Sequence, residues 1–253
     1  MLTNNELEKL EAKYLSKIHA SLYANLDNIL KNLLSMNKLL YSWKNKIKLT
    51  KKKKKNDKED GFDVGAERVI YSVLQRASDL GEPNSSPVAS DLFFENDEAF
   101  INIDCKTCQG STNLGDHWAH SISTNQTSYK SFMNIKSGKK IIGERYYEPS
   151  LDTYYLNRPN LTYFITILYA VEKEYSIVNL NVACMPNGQL VEVYGRSPLR
   201  PGKNPPEGRF AQEQCNDFKI VGGKRIKIVH ENLNNLDLRT AKRLEKEFLS
   251  LIR

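Results

Sequence analysis

Phe100-Ile101-Asn102-Ile103-Asp104-Cys105-Lys106 is the stretch on which the reading of this chain turns. Successive side chains of an extended strand point to opposite faces, so Asn102, Asp104 and Lys106 share one face and Ile101, Ile103 and Cys105 the other. A carboxylate and an ammonium therefore stand together near the end of an apolar strand. Upstream, Val88 to Phe94 reads as a second strand, separated from Ala99 to Thr107 by Glu95, Asn96, Asp97 and Glu98, which makes the pair a hairpin. With the turn at Asn96 and Asp97, Asp91 falls opposite Asn102 and diagonal to Asp104, roughly 7–8 Å away between backbones. A slip of one residue in this register would send Asp91 to the opposite face.

Two carboxylates at that separation can share one cation. Phosphodiester hydrolysis needs such a site, because the attacking water must become hydroxide-like while negative charge grows on the phosphate and on the leaving oxygen. Magnesium held by Asp91 and Asp104, with several waters and a phosphate oxygen completing its shell, lowers a water's pKa and offsets that charge. Lys106 would orient or deprotonate the water, or neutralise the transition state.

Asp91, twelve intervening residues and then Asp104-Cys105-Lys106 resemble the PD-(D/E)xK signature of type II restriction endonucleases, with Ser90 where the motif has Pro. The resemblance spans about Gly65 to Thr107. It implies an α/β (α+β) core, a mixed β-sheet flanked by helices. It also implies a preceding helix that carries a further acidic residue, a position matched by Glu67. Expected from it are Mg2+-dependent hydrolysis of double-stranded DNA at a short specific site, 5′-phosphate ends, and a homodimer whose two active sites match a palindromic duplex. Two readings compete: a repair or junction nuclease of the same superfamily, and a non-catalytic DNA-binding protein, zinc-stabilised or not.

Working outward, residues 1–50 carry apolar residues at helical spacing from Leu7 and Leu10 through Leu22 and Leu33 to Leu40. They are expected to form a helical extension for dimerisation or for embracing DNA. Lys51 to Lys55 open a basic mobile loop over residues 51–61, and residues 62–253 are expected to hold the nuclease core with its DNA-recognition loops. Gly65 to Leu80 reads as an amphipathic helix. Further strands are expected at Leu161 to Val171, Ser176 to Cys184 and Leu190 to Tyr194, the last two turning at Pro186, Asn187 and Gly188. A hairpin is expected around Gly222 and Gly223, and a final helix over Leu238 to Ile252.

Composition narrows the partners. A chain of 253 residues with net charge +7 favours a polyanion, since clustered Lys and Arg bind phosphates by releasing counterions. No stretch nears the ~20 apolar residues of a membrane span, and the N-terminus lacks a signal peptide's form. With only four cysteines, unevenly placed, a reducing prokaryotic cytoplasm is the expected compartment. Cys105, Cys108, His117 and His120 spell a short zinc-like pattern, but alternation along the strand turns Cys108 away from Cys105. For DNA contact two segments stand out. One is the polar run holding Asn125, Gln126, Ser128, Tyr129 and Lys130. The other is the Pro- and Gly-broken stretch holding Arg196, Arg200, Lys203 and Arg209, groups suited to base edges and phosphates.

Overall fold

The computed structural model describes residues 1–35, 62–84, 90–111, 113–137, 139–171, 175–196, 198–201, 216–219 and 223–252. The basic loop over 51–61, Val88 and Ala89, Lys203, Arg209 and the Gly222 turn lie outside them.

The chain opens with α1 (Asn4–Ala24), started by a capping box. The Glu6 N–H donates to Thr3 Oγ1 at 3.3 Å and the Thr3 N–H to Glu6 Oε2 at 2.8 Å, which satisfies donors that a helix start leaves open. Leu7, Glu11, the adjacent Tyr14 and Leu15, Ile18 and Leu22 follow one another at helical spacing on one buried face. A further helix, α2, occupies residues 26–35 and buries Ile29 and Leu33. After it comes α3 (Phe62–Leu74), which buries Ala66, Ile70, Val73 and Leu74.

Strands β1 (Glu82–Asn84), β2 (Leu92–Glu95) and β3 (Phe100–Gln109) follow. Then come β4 (Ala119–Ile122), the hairpin β5 (Ser131–Ser137) with β6 (Lys140–Tyr147), and β7 (Tyr154–Tyr155). The long central strands are β8 (Arg158–Val171) and β9 (Tyr175–Met185), succeeded by the single-turn α4 (Val191–Tyr194), β10 (Leu199–Pro201), β11 (Asn216–Lys219), β12 (Ile226–Glu231) and α5 (Leu238–Glu247). The main sheet runs β1-β2-β3-β8-β9-β12, with β7 on β8. Among the described residues only β3 and β8 pair in parallel, so the long excursion between them, carrying β4 to β7, serves as the crossover such a pair requires.

Alternation along β8 assigns Leu161, Tyr163, Ile165 and Ile167 to one core and Phe164 and Leu168 to another. The first core lies under α1 and α3; the second lies under α5 and the loop that follows β3. Helix α1 is thus a layer of the sheet's first core, and residues 36–50 of the expected helical extension lie outside the described residues. Its leucine stripe is spent on its own chain, and truncating one such leucine to Ala would cost about 2–5 kcal/mol.

Three local expectations are corrected. Leu190 to Tyr194 is helical, because the Asn187 side chain accepts the Gln189 N–H at 2.9 Å and caps a 3₁₀ turn that runs into α4. Lys219 and Ile226 belong to different sheets: β11 pairs with β4 and β10, whereas β12 pairs with β9. The amphipathic helix ends at Leu74, with a separate 3₁₀ turn at Ser78–Leu80.

Candidate active site

The β2–β3 hairpin pairs Glu95 with Phe100, Phe93 with Asn102 and Leu92 with Ile103. The turn is longer than a two-residue one: Asn96 Oδ1 accepts the N–H groups of Glu98 and Ala99 at 2.9 and 3.0 Å. The register is therefore displaced by two residues from the expected one. A shift of two preserves the face, and continuing the ladder beyond Leu92 brings Asp91 opposite Asp104.

At that point β2 has not begun, so the Cys105 N–H lacks a strand partner there, and Asp91 Oδ2 takes it at 2.6 Å. The bond ties the first carboxylate to the residue between Asp104 and Lys106. Asp104 is buried, and its Oδ1 accepts from Gln126 Nε2 at 3.0 Å. Its Oδ2 forms an ion pair with the Lys106 ammonium but has no aligned hydrogen-bond donor. Burial pushes the Asp104 carboxyl up to about 7 against the pull of Lys106, and the nearby Asp91 charge adds to the rise. The Cys105 thiol is raised well above its ordinary range by burial first, then by Asp91, Asp104 and Glu67, so the α3 carboxylate also acts on this strand end.

Behind Lys106 the same face of the sheet is polar and closed to solvent. Lys106 stands beside Thr166 on β8, and Thr166 beside Asn181 on β9. His120 Nε2 lies 3.2 Å from Thr166 Oγ1, and His117 Nε2 lies 3.0 Å from Asn179 Oδ1. Both rings are held neutral, with pKa values lowered to about 3, chiefly by burial.

This geometry disposes of the zinc quartet. Cys105 faces the first core and Cys108 the second, on opposite sides of β3, and both histidines are engaged by sheet side chains. Among the described residues no group of three or more His, Cys, Asp or Glu side chains is placed to hold a metal.

The polar run is partly reassigned as well. Gln126, Ser128 and Tyr129 are buried, and their polar groups are committed inside the fold. Ser128 Oγ accepts the Gly188 N–H at 3.0 Å, and the Tyr129 hydroxyl donates to the Gly195 carbonyl at 2.5 Å. These three are thereby removed from the set of surface DNA contacts. Lys130 stays exposed, 3.2 Å from Glu148, and Arg196 is exposed beside β6. Sequence reasoning missed Gln126 as a partner of Asp104, since nothing in a run of polar residues marks the one that folds inward.

A mixed sheet carrying two acidic residues and a lysine at the junction of β2 and β3 has the architecture of a restriction endonuclease. The family model of the type II restriction enzyme MwoI matches the chain, its N-terminal domain over residues 3–173 and its central domain over residues 177–230. The chain belongs to this family of type II restriction enzymes, DNA endonucleases that cut at specific sites. Among solved structures it resembles the restriction endonuclease BglI bound to its DNA recognition sequence, with a TM-score of 0.66, 16% identity, and 88% of this chain and 90% of that one covered. It also resembles the tetrameric restriction endonuclease SfiI bound to cognate DNA, with a TM-score of 0.58, 15% identity, and 85% and 80% covered. No curated protein matches the sequence significantly. The family sets aside both the non-catalytic and the repair-nuclease readings. No helix among the described residues is long and apolar enough to cross a membrane.

Proposed function

We propose that the chain hydrolyses both strands of double-stranded DNA with Mg2+ bound at Asp91 and Asp104, leaving 5′-phosphate ends. The observation that carries this is the convergence of Asp91, Asp104 and Lys106: one carboxylate hydrogen-bonded to the strand that bears the other, and the ammonium paired with the buried one. The donor set fits the ion. It is all carboxylate oxygen, and Asp104 Oδ2 is buried with no hydrogen bond of its own. Mg2+ commonly takes only one or two carboxylates and completes its shell with water and phosphate oxygens. When bound there, the ion would supply a more acidic water and charge compensation at the scissile phosphate.

The protein's own groups do the positioning. Asp91 is fixed by the Cys105 N–H, and Asp104 is fixed by Gln126. Lys106 keeps its side chain 29% exposed, so its ammonium can meet the attacking water or the growing phosphate charge without leaving β3. Glu67, across the strand end on α3, completes the acidic environment.

DNA would be held by the exposed Lys130 and Arg196, by Asn125, and by Arg200 on β10, with Lys203 and Arg209 in the adjoining stretch outside the described residues. BglI and SfiI are both described on their DNA sites. A homodimer would place two such active sites about a two-fold axis to match a palindromic duplex. The deciding experiment is digestion of long unmethylated DNA with Mg2+, beside EDTA and Asp104→Ala controls. Discrete bands lost in both controls support the reading; wild-type cutting undiminished in Asp104→Ala would end it.

A further inference from the structure

Gln126 is 7% exposed and has every polar group of its side chain committed. Its Oε1 accepts the Ser123 N–H at 2.9 Å, which leaves the amide nitrogen to point the other way, at Asp104 Oδ1, 3.0 Å distant. An amide can ordinarily be turned over at little cost. Here a backbone donor settles its orientation. The backbone of Gln126 is pinned too. Its N–H donates to the Ser123 carbonyl at 3.0 Å, and its carbonyl accepts the Thr162 hydroxyl at 3.2 Å. Thr162 lies on β8 opposite Asn102 of β3. The Tyr147 hydroxyl, at the end of β6, donates to the same Ser123 carbonyl at 2.6 Å and braces the turn.

We propose that Gln126 is a positioning residue for Asp104: its amide holds Oδ1 so that Oδ2 is presented, in one orientation, to the divalent ion. The inference rests on the metal reading of Asp91 and Asp104 given above. The residue type suits the task. Lys106 already supplies a positive charge at Oδ2, and an acid beside Oδ1 would repel the carboxylate, whereas a neutral amide donates without adding charge. Carboxylate ligands are characteristically oriented by such outer partners, whose loss costs roughly 10–100-fold in metal affinity or activity.

The test compares wild type with Gln126→Met, which keeps the length and removes the donor. A second variant, Gln126→Asn, keeps the donor on an arm too short to span Ser123 and Asp104. Thr162→Val serves as a control that loosens the turn without touching Asp104. Two readouts are taken with Mg2+ as titrant: the concentration at half of the Mg2+-induced rise in Tm, and the concentration half-saturating cleavage.

The proposal expects both concentrations to rise roughly 10–100-fold in Gln126→Met. Gln126→Asn should fall between it and wild type, and Thr162→Val should lower Tm without moving either concentration. Half-saturation within about twofold of wild type in whichever Gln126 variant folds would overturn it. A wild type whose Tm and cleavage ignore Mg2+ would instead sink the metal reading itself, so the two failures are separable.

Discussion

Asp91 Oδ2 accepts a 2.6 Å hydrogen bond from the backbone N–H of Cys105, the residue that separates Asp104 from Lys106. Because β2 begins only at Leu92, a side-chain carboxylate stands in for the strand partner that β3 lacks at this point. One bond thereby ends the β2–β3 ladder and brings the two acidic residues together. Asp91→Asn retains an acceptor but removes a charge, whereas Asp91→Ala removes both. Both variants should lose cleavage by at least roughly 10²–10³-fold, the several kcal/mol expected of metal-ion charge stabilisation. Only Asp91→Ala should also lose stability, by about 1 kcal/mol. Paired measurements of single-turnover cleavage and of urea midpoints check this, and equal stability losses in the two variants would remove the proposed hydrogen-bond role.

The zinc question has a direct answer in solution. With Cys105 and Cys108 facing different cores, an excess of a strong zinc chelator should leave the Tm unchanged, and the purified protein should retain no stoichiometric zinc by elemental analysis. A chelator-induced fall of more than a few degrees would contradict the assignment of the faces.

Glu11 and Arg225 form a buried ion pair at 2.7 Å that ties α1 to the start of β12. Glu11 also accepts the Asn187 N–H at 2.7 Å, and the Arg225 guanidinium lies 4.5 Å from the centre of the Tyr194 ring. Burial pushes the Glu11 carboxyl up in spite of Arg225, so desolvation absorbs much of the attraction. Arg225→Met should cost about 3–5 kcal/mol by leaving the Glu11 charge unpaired in the interior, and Glu11→Leu should cost less, because Glu8 stays 3.7 Å from the guanidinium. The double variant should recover a large part of that loss. A double-mutant cycle by chemical denaturation reads the coupling, and additive losses would refute it.

The neutral His117 ring makes stability depend on pH. Burial first, and then the neighbouring His120, lower its pKa from 6.5 to about 3 in the folded state. As pH falls through about 6.5, the unfolded chain takes up a proton that the folded protein refuses. The stability this ring contributes is therefore fully present above about 6.5 and is lost progressively toward 3. His117→Gln should be less stable than wild type at pH 8, and the gap should narrow steadily from pH 7 to pH 5. Urea midpoints across that range would show it; a constant gap would mean that the ring titrates alike in both states.

How much of this was legible beforehand follows from which interactions are local. Period-two alternation is a property of a single strand, so the shared face of Asn102, Asp104 and Lys106 and the opposed faces of Cys105 and Cys108 could be read from residue order alone. Helical spacing likewise announced α1, and the apolar runs announced β8 and β9. Facts about two segments were less accessible. The hairpin register depends on the Asn96 side chain closing a longer turn, and Asp91 kept its face only because the displacement was by two residues. Val191 to Tyr194 alternates like a strand but is helical, because a cap at Asn187 outweighs the pattern.

By itself, then, the sequence determined the polar face of β3, the amphipathic helices and the nuclease motif, since each follows from spacing within a few residues. Only the tertiary structure decided what those faces meet. The leucine stripe of α1 met the chain's own sheet, because that apolar surface is removed from water most completely there. Gln126 turned inward because β3 and β8 left a buried carboxylate oxygen that had to find a donor, and a buried polar atom without one is costly.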